Sequence, residues 1–325
     1  MHLGNSLSSV FSYIPLALAV FLATDDYDYE PNVISATSLL KPIRPLVLAK
    51  RVPKSDMVVD VSSLVSSRMG SAIHAAIEKA WLNPTQALKL LGYPERVWSK
   101  VVVNPTEVKD GDIPIYMEQR AYKEVLGIRV SGKYDFVAEG KVQDFKSTSV
   151  YTYLNQTNKD KYILQGSIYR WLNEDTITRD TMDIHFIFTD WNKKDSVSNK
   201  DYPPNRVHTQ SLKLMSVQET DAWVRNKLNQ IKMYENTDES ELPKCTDEEL
   251  WRKETVFKYY KNPSNRTRST RNFKTYHEAM QYFIEQGSVG IVVEVKGQVI
   301  ACKYCNAFAL CSQKDKLIEN GDLIL

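Results

Sequence analysis

The stretch GKYDFVAEGKVQDFK, residues 132–146, decides the fold of this 325-residue chain. Apolar and polar residues alternate along it with the period of two that is typical of β-strands. Glu139-Gly140 interrupts the alternation with residues that favour a tight turn, so the stretch predicts a β-hairpin. In such a hairpin Asp135 comes to lie close to Asp144, on the opposite strand. Lys146 points to the same face as Asp144, because the two are two residues apart on one strand.

The two aspartates and the lysine of this hairpin have the chemistry of a metal-dependent hydrolase. Paired carboxylates repel each other unless a cation lies between them, and their hard oxygen atoms suit Mg²⁺ or Mn²⁺. A lysine beside such an ion can orient or help to deprotonate a water molecule and stabilise charge on a scissile phosphate. Glu118, on the preceding strand, is a candidate third carboxylate. A solvated strand face is the alternative interpretation of this spacing.

Helices on either side of the hairpin carry further candidate residues. Apolar positions at helical spacing predict a helix over Ser66–Trp81, which contains His74. A second helix is predicted over Lys159–Leu172, where Gln165 and Tyr169 share one face because they are four residues apart. The alternative interpretations are a satisfied core histidine and a partly buried polar pair.

The rest of the pattern predicts an α/β protein. Strands are expected near Ile115–Lys123, Ile128–Ala138, Lys141–Lys146 and Asp183–Trp191, a polar loop over Asn192–Asn205, helices over Val217–Tyr234 and Tyr276–Glu285, and a hairpin turn at Lys296-Gly297. The simplest division is an α/β body over residues 1–234 and a C-terminal appendage over residues 235–325.

Four motifs occur in one order along the body. They read GSAIH (70–74), GKYD (132–135), DFK (144–146) and QGSIY (165–169). This series resembles the motifs of the RecB-like branch of the PD-(D/E)XK nuclease superfamily, and SATSLL (35–40) resembles the segment that begins those domains. The resemblance covers roughly residues 33–191. It implies an α/β, restriction-endonuclease-like core in which helices flank a mixed central sheet.

The resemblance also implies roles for the residues of the motifs. Asp135 and Asp144 would hold a divalent Mg²⁺ or Mn²⁺ ion, with the backbone carbonyl of Phe145 and the ring of His74 as further ligands. Lys146 would activate or position the attacking water.

Gln165 and Tyr169 would support the lysine and the path of the DNA. The chain has no G-x-x-x-x-G-K-[ST] motif and therefore no P-loop motor of that kind. The sequence thus predicts a stand-alone deoxyribonuclease, and an exonuclease more than a site-specific endonuclease.

All four cysteines lie in the C-terminal appendage, at Cys245, Cys302, Cys305 and Cys311. A C-x-x-C pair turns both sulfur atoms toward one ion, and in a reducing compartment this spacing indicates metal binding. Four cysteines supply the four ligands of a Zn²⁺ ion or a [4Fe–4S] cluster. Free thiols are the alternative without a metal.

The spacing C-x-x-C-x(5)-C also resembles that of iron–sulphur members of the same nuclease branch, which favours the [4Fe–4S] cluster over zinc. In those members the remaining cysteine precedes the nuclease core, near the segment that corresponds to residues 35–50. This chain has no cysteine there, and Cys245 follows the core instead.

The net charge of only +2 hides an uneven distribution of charge. Residues 235–249 are strongly acidic, whereas residues 251–275 carry eight Lys or Arg against Glu254 alone. The candidate DNA-binding residues are Lys258, Lys261, Arg266, Arg268, Arg271 and Lys274. Basic residues contact phosphates, and the interleaved Phe257, Tyr259, Tyr260 and Phe273 are candidates for stacking on unpaired bases. A solvated loop that balances the acidic stretch is the alternative.

No membrane segment is predicted. The longest apolar run, Val10–Ala23, is shorter than the roughly 20 residues that span a bilayer, and no Lys or Arg precedes Lys41 as a secretory signal requires. An amphipathic N-terminal helix is expected there, in a protein of the cytoplasm, or of the host cytoplasm for a phage protein.

The sequence as a whole predicts a Mg²⁺- or Mn²⁺-dependent DNA exonuclease of recombination, repair or phage DNA processing. Its expected partners are DNA and recombination or replication proteins. The alternatives are a non-catalytic nucleic-acid-binding or assembly module with a structural metal site, and a hydrolase of small phosphate esters.

Overall fold

The computed structural model describes residues 14–24, 30–53 and 61–325, which form a mixed α/β protein with several sheets and flanking helices. The helices of these ranges are α1 (Leu16–Ala23), α2 (Ala36–Leu39), α3 (Ile43–Leu48), α4 (Val65–Trp81), α5 (Thr85–Leu90), α6 (Glu95–Trp98), α7 (Val150–Leu154), α8 (Lys159–Leu172), α9 (Lys193–Ser198), α10 (Val217–Tyr234), α11 (Tyr276–Glu285) and α12 (Ser312–Glu319). No helix of the described ranges has the length and apolarity needed to cross a membrane.

The strands belong to three sheets. They are β1 (Val33–Ser35), β2 (Val101–Val103), β3 (Ile113–Met117), β4 (Arg120–Val125), β5 (Ile128–Lys133), β6 (Phe136–Ala138), β7 (Lys141–Thr148), β8 (Thr181–Phe188), β9 (Val207–Lys213), β10 (Val256–Tyr260), β11 (Arg271–Phe273) and β12 (Ile291–Val295). The orders are β2-β3-β6-β7-β8-β9, β1-β5-β4 and β11-β10-β12.

The chain divides into two compact units. The first contains the described residues up to Lys41 and those from Val61 to Gln230, and the second contains residues 42–53 and Ile231–Leu325. The predicted division after residue 234 puts the short segment 42–53 in the first part of the chain. In the structure it packs with the C-terminal part instead, because Arg51 donates to the backbone carbonyls of Tyr234 and Glu235.

The first unit is built around the six-stranded sheet, in which β7 and β8 are parallel and β6 and β7 form the predicted hairpin. Glu139 and Gly140 both have positive φ, of 51° and 73°, as the tight turn between β6 and β7 requires. Helix α8 lies against β5, β7 and β8. A side chain at Gly132 would come within 2.6 Å of Leu172, so this glycine permits the close approach of α8 to β5.

Two of the predicted strands are interrupted. The strand expected over Ile115–Lys123 ends at Met117 and resumes at Arg120, because Glu118 adopts a left-handed conformation with φ of 52°. The strand expected over Ile128–Ala138 is split at Tyr134-Asp135, where β5 pairs with β4 and β6 pairs with β3. Both interruptions lie next to the candidate carboxylates.

Two other predictions are corrected by the structure. The loop expected over Asn192–Asn205 contains α9, which begins because the Asn192 side chain accepts a hydrogen bond from the Asp195 N–H at 2.9 Å. The hairpin turn expected at Lys296-Gly297 is absent. Gly297 lies against the backbone carbonyl of Lys253, and the chain continues beside that segment without forming a further strand.

The second unit combines the small antiparallel sheet with α11 and a separate apolar cluster. The cluster consists of Leu250, Val299, Cys302, Leu317 and Leu323, with Cys245 and Phe308 packed against it. Two cysteines therefore lie in or beside a hydrophobic core. The part of the expected N-terminal helix that precedes residue 14 lies outside the described residues.

Candidate active site and cysteine cluster

The candidate site of the first unit lies where β7 extends beyond its partner β6. The hairpin register pairs Phe136 with Gln143, so β7 has no β6 partner from Asp144 onward. The side chain of Asp135 takes that place, and its Oδ2 atom accepts a hydrogen bond from the Phe145 N–H at 3.3 Å. The structure thus places Asp135 beside Asp144, as the hairpin predicts.

His74 of α4 reaches the same exposed edge. Its Nε2 atom lies 2.8 Å from the Phe145 carbonyl oxygen, and its Nδ1 atom lies 3.2 Å from Asp135 Oδ2. Both neighbours are acceptors, so both ring nitrogens donate when the imidazole is protonated. The hydrogen bond to Asp135 raises the pKa of His74 against the opposing effect of burial, and the charges of Asp135 and Asp144 add to the rise.

Asp144 and Lys146 leave β7 on one face and form an ion pair with a separation of 2.5 Å. Asp144 is 1% exposed. Burial raises the pKa of its carboxyl to about 6, although Lys146 acts in the opposite direction. The pKa of Lys146 is itself raised, because the two aspartates outweigh the effect of burial, so this lysine is a cation at neutral pH.

Gln165 and Tyr169 of α8 stand behind this ion pair. Gln165 donates through Nε2 to Tyr169 Oη at 2.8 Å and to Asp144 Oδ1 at 3.5 Å. Both side chains are buried. Gln165 therefore contacts Asp144 directly and Tyr169 contacts Gln165, whereas the resemblance implies that the two support the lysine and the path of the DNA. The side chain over the lysine is Tyr162, whose ring centroid lies 5.6 Å from Lys146 Nζ.

A set of metal-ligand atoms converges next to Asp135. In the described part of the chain, His74, Glu118 and Asp135 form the one group of three His, Cys, Asp or Glu residues with ligand atoms within 4.8 Å of one another. One imidazole and two carboxylates fit a hard divalent ion such as Mn²⁺ or Mg²⁺. In this structure Glu118 is paired with Lys133 at 2.5 Å, and that ammonium competes with an ion for the carboxylate.

Sequence reasoning missed two residues of the site. Glu78 lines the cavity between His74, Glu118 and Asp135, one helical turn after His74. The spacing H-x-x-x-E within a predicted helix is the signal that could have identified it. Lys133 was visible in the sequence, but its contact with Glu118 depends on the left-handed conformation of that residue.

In the second unit, the cysteine cluster consists of four free thiols, Cys245, Cys302, Cys305 and Cys311. The other three are near enough to affect the pKa of Cys245, but no three of the sulfur atoms lie within 4.8 Å of one another. Gln313 exchanges two hydrogen bonds with the backbone of Cys245, at 2.8 and 2.9 Å, and thereby fixes it near Cys311. The Cys305 N–H donates to the Cys302 carbonyl at 3.2 Å, in the tight turn that a C-x-x-C pair favours.

Burial disfavours the charged form of two cysteines of this cluster. Burial raises the pKa of Cys245 to about 12, and the charges of Glu249 and the other three cysteines contribute to the rise. Burial, with the charges of Cys305 and Cys311, raises the pKa of Cys302 to about 11. Both cysteines are therefore neutral thiols at pH 7, and a thiolate at either position would require a cation beside it.

The basic residues of the second unit divide into two groups. Lys261, Arg266 and Arg268 are exposed in the loop between β10 and β11. This basic loop, residues 261–270, borders a cleft of ≈ 260 Å³ that is lined by Tyr260, Lys261, Asn262, Asn265, Thr267, Arg268 and Thr270.

The other basic residues lie on the sheet or beside it. Arg271 packs over the rings of Phe273 and Tyr282, Lys258 lies on β10, and Lys274 is exposed between β11 and α11. Tyr259 and Tyr260 are buried, so the expectation that these two rings stack on bases is wrong.

Comparisons with known proteins give distant structural likeness only. No protein-family model matches the chain, and no curated protein is similar to it. The protein in the crystal structure of SSO0001 shares 15% sequence identity with this chain, and the two structures match with a TM-score of 0.38. The match covers 69% of this chain and 88% of that one. A phage related exonuclease from Haemophilus somnus 129PT is 14% identical with a TM-score of 0.28, over 64% of this chain and 94% of that one.

Proposed function

We propose that this chain is a Mg²⁺- or Mn²⁺-dependent DNA nuclease that hydrolyses phosphodiester bonds. The observation that supports the proposal is the convergence of Asp135, Asp144, Lys146 and His74 around the end of the β6–β7 hairpin. The alternating pattern alone also fits a solvated strand face. Asp144 is buried and paired, however, and a solvated face does not bury its carboxylates.

His74, Asp135, Asp144 and Glu118 are the residues that would hold the divalent ion, together with the Phe145 carbonyl. The ion supplies Lewis-acid chemistry, which polarises the phosphate and favours deprotonation of the attacking water. In this structure His74 Nε2 donates to the Phe145 carbonyl at 2.8 Å, so this nitrogen would have to lose its proton to bind the ion.

Lys146 contributes positive charge. Because the pKa of this lysine is raised, it is a poor base at neutral pH. Its ammonium stabilises the charge that develops on the phosphate oxygens as water adds and orients the water by donating a hydrogen bond. Gln165 fixes the carboxylate of Asp144, which in turn fixes the ammonium.

The finer assignments are also proposals. The order of motifs supports an exonuclease of recombination, repair or phage DNA processing, working with DNA and with recombination or replication proteins. The four free thiols suit a [4Fe–4S] cluster, with Zn²⁺ as the alternative, in a cytoplasm that keeps thiols reduced. Iron content and a visible spectrum of anaerobically purified protein distinguish the two metals.

The basic loop of the second unit is the part of the chain best suited to hold the nucleic acid. Lys261 and Arg268 line its cleft together with hydroxyl and amide side chains, and no acidic residue occurs between residues 255 and 277. Cations beside neutral hydrogen-bonding groups are typical of sites that bind backbone phosphates.

The nuclease proposal is tested with end-labelled linear DNA and a covalently closed circle of the same sequence. Purified protein is expected to degrade the linear DNA with Mg²⁺ or Mn²⁺ and not with EDTA, and to spare the circle. Asp135→Asn and Asp144→Asn should each lower the rate by at least about 100-fold. Equal digestion by the wild type and both variants would show that the activity arises elsewhere.

The binding role of the basic loop needs a separate assay without cleavage. In EDTA, Lys261→Gln combined with Arg268→Gln should weaken binding of a labelled oligonucleotide. It should also reduce the slope of log affinity against log salt by about 2. Lys303→Gln, an exposed lysine of the same unit outside the basic loop, is the matched control. Unchanged binding by the double variant would exclude the basic loop.

A further inference from the structure

Arg44 is a buried cation in the second unit whose partners include a cysteine of the cluster. It lies on α3, in the short segment 42–53, and is 3% exposed. An arginine is seldom so deeply buried, because removal of its charge from water is unfavourable unless partners compensate. The partners of Arg44 therefore indicate what keeps it there.

The guanidinium group makes four hydrogen bonds to C-terminal residues. Its Nη1 atom donates to the Leu242 carbonyl at 3.0 Å, and its Nη2 atom donates to Ser312 Oγ at 3.3 Å and to the Glu239 carboxylate. The remaining donor, Nε, points at Cys311 Sγ at 3.3 Å. One side chain thus connects α3 to the start of α12 and to the cysteine cluster.

The contact with Cys311 is the informative one. A neutral thiol is a weak acceptor, whereas a thiolate accepts a charge-assisted hydrogen bond from a guanidinium. Glu239 is shared with the Ser312 N–H and hydroxyl, at 2.9 and 3.0 Å, so Arg44 is only one of its donors. The Arg44 Nε–H is directed at the sulfur of Cys311, where a metal-bound thiolate would accept its hydrogen bond.

We propose that Arg44 is the outer partner of the four-cysteine metal centre and retains the metal through its hydrogen bond to Cys311. The inference rests on the cysteine centre proposed above and not on the nuclease site. Hydrogen bonds to metal-binding sulfurs stabilise the charge of the thiolates and fix their orientation, and loss of such a partner typically costs about 10- to 100-fold in metal affinity.

The proposal is tested by metal release from the anaerobically purified full-length chain. Iron or zinc is followed by its transfer to a coloured chelator, with no nucleic acid and no added Mg²⁺. Release from Arg44→Met should be at least about tenfold faster than from the wild type. Arg44→Lys keeps the charge but loses the planar donor, so its release should also be faster than that of the wild type.

Arg51→Met is the matched control. Arg51 belongs to the same segment, and its guanidinium donates to the backbone carbonyls of Tyr234 and Glu235, both at 3.1 Å. If Arg44 acts through sulfur, Arg51→Met should release metal within about twofold of the wild type, well below the effect expected for an outer-shell partner. Equally fast release from both variants would show that Arg44 only fastens the segment, and the proposal would be wrong.

A second readout separates the two roles when the metal is iron. Loss of a hydrogen bond to a cluster sulfur lowers the reduction potential, so the midpoint of Arg44→Met or Arg44→Lys should become more negative while that of Arg51→Met stays unchanged. Wild-type protein that contains neither iron nor zinc would overturn the proposal. An inactive nuclease with a retained metal would leave it standing.

Discussion

The ammonium of Lys146 lies 2.5 Å from the carboxylate of Asp144, and both side chains leave β7 on the same face. The pair lies at the point where β6 stops and Asp135 takes the place of a neighbouring strand. A buried carboxylate, a second carboxylate and a cation are thus held together by the backbone of one hairpin.

Metal affinity should depend on pH. Burial raises the pKa of Asp144 to about 6, and the hydrogen bond to Asp135 raises the pKa of His74 above its ordinary 6.5. Both groups must lose a proton to bind a metal, so acid favours the metal-free protein. The apparent affinity for Mn²⁺ should therefore fall at least about tenfold from pH 7 to pH 5, because each displaced proton contributes a factor of ten per pH unit.

Calorimetric titration with Mn²⁺ at pH 5, 6 and 7 measures this dependence. Asp144→Asn serves as the comparison. This variant should bind Mn²⁺ more weakly than the wild type at pH 7, and its affinity should change less with pH because it has no carboxyl to release a proton at position 144. An affinity that is the same at all three values would contradict the assigned ligands.

Two of the motif glycines, Gly132 and Gly70, should respond to alanine in opposite directions. A side chain at Gly132 would lie 2.6 Å from Leu172 and 3.0 Å from Tyr169, so Gly132→Ala should destabilise the protein by about 1–3 kcal/mol. Gly70 lies within α4 with nothing within 4 Å of an added carbon, so Gly70→Ala should stabilise it by about 0.5–1 kcal/mol. Urea unfolding measures the free energy of unfolding of both variants. A lower value for Gly70→Ala than for the wild type would show that Gly70 is needed for a reason other than the space around it.

Tyr169→Phe should have a modest effect. It removes the hydroxyl that accepts from Gln165 and leaves the contact of Gln165 with Asp144 in place. The cost in unfolding free energy should be about 1 kcal/mol, the net value of one hydrogen bond, and cleavage should slow by less than about tenfold. A loss of activity as large as that of Asp144→Asn would instead place Tyr169 in direct contact with the substrate.

The helices that carry the site were predictable from sequence. Helix α8 begins and ends where the periodicity predicts, and α4 begins at Val65, one residue before the predicted start, and ends at the predicted Trp81. These features depend on residues within a few positions of each other, and local spacing is what a single sequence records best.

The interruptions of the strands were not predictable in the same way. The strands break at Glu118 and at Tyr134-Asp135. A local change in backbone direction does not alter the alternation of apolar and polar residues in the sequence, so the alternation did not reveal either break. The contact of Arg44 with Cys311 joins residues 267 positions apart. Nothing in the local pattern of α3 marks that arginine as buried, so only the fold identifies it.

The central claim is that Lys146 is a catalytic cation of a metal-dependent nuclease, and single-turnover cleavage by Lys146→Gln tests it most directly. Lys141→Gln is the matched control, since Lys141 lies on the same strand and pairs with Asp183 at 3.0 Å. Mn²⁺ affinity is measured on the same preparations. Lys146→Gln should cleave end-labelled DNA at least about 100-fold more slowly than the wild type while it still binds Mn²⁺, because it loses the stabilising charge and keeps the ligands. Cleavage by Lys146→Gln at the rate of Lys141→Gln, or no metal-dependent cleavage by the wild type, would contradict the claim.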